Sequence, residues 1–112
     1  MSAALIANLE KLIGGSRDGA LLRYSLGNEH LKAGDPGRAV ARLREALERD
    51  PHYSAAWKLL GKALAESGQP GEALRAYEQG IEVAEAKGDR QAAREMSVFA
   101  RRLRRQLSEP GC

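Results

Sequence analysis

The sequence predicts an all-α protein, an α-solenoid of two helical hairpins with an N-terminal helix before them and a C-terminal capping helix after them. Three observations lead to this fold class. Aromatic residues make up only 4% of the 112 residues, and the abundant straight-chain side chains lose little rotamer freedom in a helix. The chain repeats itself after 34 positions, and breakers that contain glycine and proline divide each repeat into two amphipathic segments. The length fits one domain, residues 1–112.

The internal repeat is visible when the chain is shifted by 34 positions and compared with itself. The identical pairs are Leu26 and Leu60, Gly27 and Gly61, Gly34 and Gly68, Pro36 and Pro70, Gly37 and Gly71, Ala39 and Ala73, and Glu48 and Glu82. Similar residues fill the same register at Val40 and Leu74, Leu43 and Tyr77, and Leu47 and Ile81. A fixed period of this length predicts two stacked units, which we place at residues 20–53 and 54–87.

Each unit contains a turn between its two helices. In the first unit Gly34 supplies the left-handed conformation that closes the first helix. Pro36 follows the candidate capping residue Asp35, and a proline at the first helical position loses no hydrogen bond. The second unit repeats this arrangement with Gln69 as the candidate capping residue. Each unit is therefore predicted to be a helix–turn–helix hairpin.

The second unit also carries a recognisable signature. Its positions are filled by Trp57, Leu60, Gly61, Leu64, Ala73 and Tyr77. This pattern resembles the tetratricopeptide repeat family, whose hairpin is patterned W-x2-L-G-x2-Y, then A-x3-F, then P. The final proline is missing, because Glu85 stands in its place. The first unit keeps Pro51 but has Arg23 at the Trp position and His30 at the Tyr position. The resemblance covers residues 20–87.

Small residues are expected where the two helices of a hairpin cross. They are Gly27, Ala39, Gly61 and Ala73, and larger side chains there would overpack the crossing. Gly80 falls where the family usually places alanine, at a cost of about 1 kcal/mol in helix propensity. This glycine predicts either tight packing at that position or simple drift.

A capping helix is predicted at residues 89–107. Asp89 is a good N-cap residue, and an apolar stripe follows it, formed by Ala92, Met96, Phe99, Leu103 and Leu107. The loss of proline at Glu85 lets the preceding helix run on to about Lys87, where Gly88 stops it. Two repeats need such caps, because a hairpin cannot bury its apolar face alone.

An N-terminal helix is predicted at residues 3–13. Its apolar stripe consists of Leu5, Leu9, Leu12 and Ile13, and the flexible joint 14–16 follows it. One interpretation is a cap that covers the first repeat. The other is a mobile or swapped helix that pairs with a second subunit, giving a homo-oligomer.

Candidate residues for catalysis are few. The only histidines are His30, expected to be packed, and His52, expected in a solvated turn. The acidic residues alternate with Arg and Lys at helical spacing, which is typical of an ion-paired surface, and no GxxxxGK phosphate loop occurs. Cys112 is the single cysteine and stands at the end of the sequence, so no intrachain disulfide or Cys/His metal cluster is expected. We predict no enzymatic activity, no cofactor and no metal site.

Cellular location is predicted from three features of the sequence. The lone cysteine fits a reducing compartment, no signal peptide is evident, and no stretch approaches the roughly 20 apolar residues that span a bilayer. We therefore expect a cytoplasmic protein without a membrane partner. The abundance of alanine, arginine and glycine hints at a bacterial source.

Positive charge is concentrated in the predicted capping helix. Its arginines include Arg94, Arg101, Arg102, Arg104 and Arg105. The main interpretation is the solvated outer face of a cap. An acidic protein partner and nucleic acid are the alternatives. Nucleic acid is the less favoured, because no aromatic residue is expected among these arginines to stack on bases, and the net charge of +3 is only mildly basic.

The resemblance implies a concave groove lined by the first helix of each hairpin. Its expected positions are Leu21, Tyr24, Ser25, Asn28, Leu31 and Lys32 in the first unit, and Ala55, Lys58, Leu59, Lys62, Ala65 and Glu66 in the second. The residues selected for partner binding are Tyr24, Asn28, Leu31, Lys58, Leu59 and Lys62. Some family members hold a C-terminal carboxylate with Lys and Asn residues, but Tyr24 and Leu59 replace two of these here, so such a clamp is not expected. Each position has ordinary helix surface as its alternative, because a fold fixes where a groove lies and not that it is used.

Two functions follow from the sequence as hypotheses. The first is a scaffold or adaptor that binds a peptide or protein segment, of unknown identity, on the concave face. The second is an oligomerisation or assembly module that acts through its N-terminal helix or exposed ends.

Overall fold

The computed structural model describes residues 2–109, and within them it contains six α-helices and no strand. The helices are α1 (Ser2–Glu10), α2 (Ala20–Lys32), α3 (Pro36–Arg49), α4 (Ser54–Glu66), α5 (Pro70–Lys87) and α6 (Arg90–Ser108). Each helix packs against the next one along the chain, and α4 also contacts α2 and α6. This stack of hairpins, α2 with α3 and α4 with α5, confirms the predicted fold class. Helix α6 lies beside α4 as α4 lies beside α2, in the place of a third first helix.

The turns within the two hairpins are closely similar. Gly34 and Gly68 have φ of 79° and 78°, the left-handed conformation expected of them. The Asp35 carboxylate accepts a hydrogen bond from the backbone N–H of Arg38 at 3.2 Å, so it caps α3. Gln69 holds the equivalent position, but its side chain does not cap α5 and instead donates to Ser67 Oγ at 3.0 Å.

The helix crossings depend on glycine as the sequence predicts. A Cβ atom on Gly27 would lie 2.6 Å from Leu43 Cγ, and one on Gly61 would lie 2.6 Å from Tyr77 Cε1. Gly80 lies between α4 and α6, where a Cβ atom would come within 2.5 Å of Met96 Sδ. Tight packing, rather than drift, therefore accounts for the glycine at position 80.

Helix α6 begins and packs much as predicted. Gly88 ends α5 with φ of 77°, and the Asp89 carboxylate accepts from the backbone N–H of Ala92 at 3.1 Å. Along the predicted stripe Met96 and Leu103 are buried. The stripe ends there, because Leu107 is exposed and does not join the core.

Helix α1 is shorter than predicted and contacts α2. It ends at Glu10 instead of Ile13, and residues 11–13 form turns in which Leu12 and Ile13 donate to carbonyls three residues back. The Glu10 carboxylate bonds Arg42 of α3 at 3.1 Å. Leu5 and Leu12 remain exposed, so docking on α2 leaves part of the apolar stripe uncovered. Cys112 lies outside the described residues.

Candidate functional site

A groove of about 610 Å³ opens on the side of the stack formed by the first helices. It is lined by Tyr24, Ala55, Lys58, Leu59, Lys62, Ala65, Glu66, Tyr77 and Phe99. Residues of α2, α4 and α6 form its walls, and α5 contributes Tyr77. The groove therefore combines apolar and aromatic surface with a few charged groups, the usual composition of a binding site.

Tyr77 contributes a phenol hydroxyl to the apolar part of this groove. Its side chain is only 4% exposed and fits against Gly61, where no Cβ atom interferes. The hydroxyl makes no hydrogen bond within residues 2–109. No fully buried side-chain oxygen there lacks a partner, so this hydroxyl opens into the groove. Burial, with the nearby Glu66 carboxylate, raises the pKa of Tyr77 to about 12. The neutral hydroxyl can donate a hydrogen bond.

Two aromatic side chains of the groove, Tyr77 and Tyr24, each stack on another aromatic ring. The rings of Tyr77 and Phe99 lie 5.4 Å apart at an interplanar angle of 22°. Tyr24 stacks on Tyr53 at 4.9 Å and 30°. Such pairs fix ring orientation beyond what apolar burial alone does. The aromatic surface of the groove is thus formed before any partner binds.

The two lysines of the groove differ in their ionic partners. Lys58 Nζ lies 2.5 Å from Glu95 Oε1, so an ion pair joins α4 to α6. The hydrogen bond from Lys58 lowers the pKa of the Glu95 carboxyl below its ordinary value. Lys62 is exposed and takes part in no ion pair with any described residue. Lys62 is therefore the cation that a partner reaches without breaking an existing contact.

The observed groove is lined by the predicted positions of the second unit and by few of those in the first. All six positions named in the second unit line it, including Lys58, Leu59 and Lys62. Of the first unit only Tyr24 does so. Asn28 and Leu31 are half-buried and lie outside the lining, and Leu31 packs against the core. A role in binding for any of these residues stays a prediction.

Tyr77 and Phe99 are the groove residues that the sequence reasoning missed. The sequence identifies Tyr77 only as the equivalent of Leu43 and as part of the repeat signature, and Phe99 as part of the apolar stripe of the capping helix. The signal for Phe99 was available, because α6 repeats the buried alanines of α4, with Ala93 and Ala100 in the places of Ala56 and Ala63. That alignment puts Phe99 in the place of Lys62, a groove position.

The expectation that no aromatic residue accompanies the arginines of α6 is wrong. The Arg102 guanidinium carbon lies 5.8 Å from the centroid of the Phe99 ring, within range of a cation–π contact. Arg104 bonds Glu78 of α5 at 3.0 Å. Both arginines therefore have partners inside the fold.

The two histidines have different surroundings in the structure. His30 is buried in α2 and His52 is exposed in the loop before α4. Over residues 2–109, no group of three or more His, Cys, Asp or Glu side chains is placed to hold a metal ion. Nor does any helix in this range have the length and apolar character needed to cross a membrane.

Comparison with known proteins identifies the family. Residues 24–93 match the sequence model of the tetratricopeptide repeat. The chain is 48% identical over 101 residues to the TPR repeat-containing protein PA0015 of Pseudomonas aeruginosa, covering 90% of this chain and 96% of that protein. It is also similar to the solution structure of protein BPP2914 from Bordetella parapertussis, with a TM-score of 0.79 and 39% identity over 91% of this chain and 89% of that one.

A second solved structure gives the same result over a shorter range. The tetratricopeptide repeat domain protein from Salinibacter ruber has a TM-score of 0.70 and 33% identity, over 76% of this chain and 96% of that one. All three relatives are bacterial proteins. The chain belongs to the tetratricopeptide repeat family.

Proposed function

We propose that this chain is a non-enzymatic cytoplasmic scaffold that binds a peptide or protein segment in the groove between α2, α4 and α6. Tetratricopeptide repeat proteins bind protein partners on the concave surface of their stacks. One observation supports this site above others. Tyr77 is almost fully buried, yet its hydroxyl faces the groove without a hydrogen-bond partner among the described residues.

The apolar part of the groove suits a bulky side chain of the partner. Leu59, Phe99 and Tyr24 line the groove together with Tyr77, and the Phe99 ring stacks on that of Tyr77. Burying a Leu or Phe side chain against such a surface contributes roughly 1.5–3 kcal/mol. The Tyr77 hydroxyl then donates to a backbone carbonyl or side-chain oxygen of the same segment.

The polar part of the groove suits an acidic group next to that bulky side chain. Lys62 is available directly, whereas Lys58 must first exchange its bond to Glu95. Asn28 makes no hydrogen bond through its side chain within the described residues, and we keep it as a candidate donor to the backbone of a longer segment. No histidine or cysteine lines the groove, so the cysteine–histidine and serine–histidine pairs of nucleophilic catalysis cannot form there.

A selection from a phage-displayed library of random 12-residue peptides tests this proposal. The bait is the immobilised chain, and affinities of enriched peptides are measured by fluorescence anisotropy. Ala65→Arg places a long side chain in the groove from an exposed position near the end of α4. Ala86→Arg makes the same change at an exposed position near the end of α5, away from the groove.

We expect enriched peptides to lose at least ten-fold in affinity with Ala65→Arg and less than two-fold with Ala86→Arg. Equal losses for the two variants, or peptides that bind both as well as the unchanged chain, contradict the assignment of the groove.

Self-association through α1 and the turn that follows it is the second candidate function, and the exposure of Leu5 and Leu12 favours it. Size-exclusion chromatography with light scattering tests it at high micromolar concentration. A dimer that the double variant Leu5→Glu/Leu12→Glu converts to a monomer supports it. A strictly monomeric unchanged chain rejects it.

A further inference from the structure

The face of α6 that points away from the groove occupies a special place in the stack. Helices α4 and α6 can be aligned through their buried alanines. In this alignment α6 has Arg94, Ser97, Val98 and Arg101 where α4 has Trp57, Leu60, Gly61 and Leu64. Those residues of α4 form the surface that packs against the second helix of its own hairpin, since Gly61 contacts Tyr77 of α5 and both leucines are buried. The corresponding surface of α6 therefore lies where a second helix of a third hairpin would pack, although its residues differ from those of α4.

This surface of α6 is open in the structure. We call it the arginine face and define it by Arg90, Arg94, Ser97, Val98 and Arg101. Together with Glu85, Gly88 and Ala93 these residues line a groove of about 670 Å³. Val98 is 40% exposed, although it stands in the place of the buried Gly61. An apolar side chain is thus exposed at the centre of a cationic surface.

The charge on this face is not neutralised within the described residues. Arg90, Arg94 and Arg101 are exposed, and none of them takes part in an ion pair there; the same holds for Arg105 one turn further on. At 3.6 residues per turn these four arginines fall within an arc of about 60° and extend over about 22 Å of the helix. Helix α6 has six arginines and one glutamate, a larger excess than the whole-chain charge of +3. The rest of the chain is therefore net acidic.

We propose that the arginine face binds an acidic amphipathic helix of a partner protein, which packs against α6 as the second helix of a hairpin would. Carboxylates at four-residue spacing on that helix lie opposite the arginine stripe, where bidentate pairing is available. A small apolar side chain of the partner covers Val98. This site is separate from the groove that contains Tyr77, so it goes beyond the proposed function.

Nucleic acid fits this face less well than an acidic helix. Val98 gains nothing from a phosphate backbone, whereas an apolar side chain of a partner helix covers it. Phe99, the aromatic ring of α6, lies in the other groove and stacks on Tyr77. No aromatic side chain lines the arginine face, so base stacking is not available there.

The test is a fluorescence-anisotropy titration with a labelled helical peptide of about 21 residues, long enough to match the 22 Å stripe with its ends capped. The probe has glutamates at four-residue spacing and alanine or leucine between them, and the control probe has glutamine in their place. Arg94→Glu/Arg101→Glu reverses the stripe. Arg17→Glu/Arg75→Glu makes the same change in net charge at exposed positions elsewhere.

We expect the glutamate probe to bind the full chain at least ten-fold more tightly than the glutamine probe in 50 mM salt, and to weaken in 300 mM salt. The Arg94→Glu/Arg101→Glu variant loses at least ten-fold in affinity, the Arg17→Glu/Arg75→Glu variant less than three-fold, and Ala65→Arg in the other groove less than two-fold. Equal binding of the two probes overturns the proposal, as does an equal loss in the two charge-reversal variants. Tighter binding of a mixed-sequence RNA or DNA 20-mer, abolished by Arg94→Glu/Arg101→Glu, reassigns the face to nucleic acid.

Discussion

Arg23 donates hydrogen bonds to both carboxylate oxygens of Asp18, from Nε to Oδ1 at 2.9 Å and from Nη2 to Oδ2 at 2.7 Å. Its remaining nitrogen, Nη1, donates to Glu45 of α3 at 2.6 Å. Arg23 is 7% exposed and stands where the family pattern has tryptophan. The first repeat has therefore replaced an aromatic anchor with a set of ion pairs that ties the turn before α2 to α3.

Removal of the Arg23 guanidinium is expected to destabilise the fold. Arg23→Ala leaves the Asp18 carboxylate without its main partner and leaves Glu45 with Arg42 alone, in a partly buried site, which costs more than an apolar truncation alone. The loss of unfolding free energy should exceed the ~0.5 kcal/mol within which surface substitutions usually fall. Urea denaturation measures it.

Arg38→Ala is the matched control for that experiment. Arg38 pairs with Asp35 at 3.5 Å, but its side chain is 77% exposed, so its ion pair contributes little. A loss for Arg23→Ala that is no larger than the loss for Arg38→Ala would show that the buried pairing does not stabilise the protein.

The ion pairs of Arg23 with Asp18 and Glu45 predict how the stability of the protein depends on pH. The hydrogen bond from Arg23, followed by that from the backbone N–H of Gly14, lowers the pKa of the Asp18 carboxyl. Partial burial raises the pKa of Glu45, but hydrogen bonds from Arg42 and Arg23 outweigh it, so this pKa is also lowered.

Because both folded-state pKa values lie below the ordinary values of 3.8 and 4.5, the stabilisation is complete above about pH 5 and is lost as the pH falls below 4. Thermal melts between pH 2 and 7 should show this decline, and Asp18→Asn should make it shallower. An equally steep decline in Asp18→Asn would exclude Asp18 as a source.

Gly80→Ala tests how closely α5 packs against α4 and α6. Alanine improves helix propensity by about 1 kcal/mol, but its Cβ atom would lie 2.8 Å from Trp57 Cβ and 2.5 Å from Met96 Sδ. Overpacking costs about 1–3 kcal/mol, so we expect a net loss of about 1 kcal/mol in urea denaturation. Gly71→Ala in the same helix meets no atom within 4 Å and should stabilise the protein. Stabilisation by Gly80→Ala would refute the tight crossing.

Local signals in the sequence were sufficient for the fold. Gly34, Asp35 and Pro36 specify a turn by their own backbone chemistry, and the repeat period then fixes which helices pair. The ion pair between Arg23 and Asp18 could not be predicted in this way, because it requires knowing that the turn before α2 lies against α3.

Only part of the groove could be predicted from the repeat pattern. The positions of α4 follow from the repeat, so Lys58, Leu59 and Lys62 were found together with their neighbours. Tyr77 was missed because helical periodicity shows that a residue is buried and not that its hydroxyl opens into a cavity. Phe99 was missed because the longer α5 moves α6 out of the 34-residue register.

Tyr77→Phe separates binding from stability. At neutral pH the hydroxyl has no hydrogen-bond partner among residues 2–109 to lose, so unfolding free energy should change by less than about 0.5 kcal/mol, while groove-binding peptides should weaken several-fold.

At high pH the unchanged chain is expected to lose more stability than Tyr77→Phe. The reason is that the folded-state pKa of Tyr77, about 12, lies above the ordinary 10.0. The buried neutral phenol stabilises the fold below pH 10, and this contribution disappears between pH 10 and 12. Urea midpoints at pH 9 and 11.5 should fall less in Tyr77→Phe than in the unchanged chain. Identical falls would show that Tyr77 does not titrate in this range.

The ion pair between Lys58 and Glu95 is expected to limit the affinity of the groove for acidic segments. Glu95→Gln releases Lys58 Nζ from its contact at 2.5 Å and removes a negative charge beside the groove. Both side chains are about 40% exposed, so loss of the ion pair should have little effect on stability. A selected peptide with an acidic residue should bind Glu95→Gln several-fold more tightly, whereas its Glu→Gln or Asp→Asn counterpart should not distinguish the two proteins. If the acidic peptide binds both proteins equally, Lys58 makes no contact with the bound segment, and Lys62 alone supplies the positive charge.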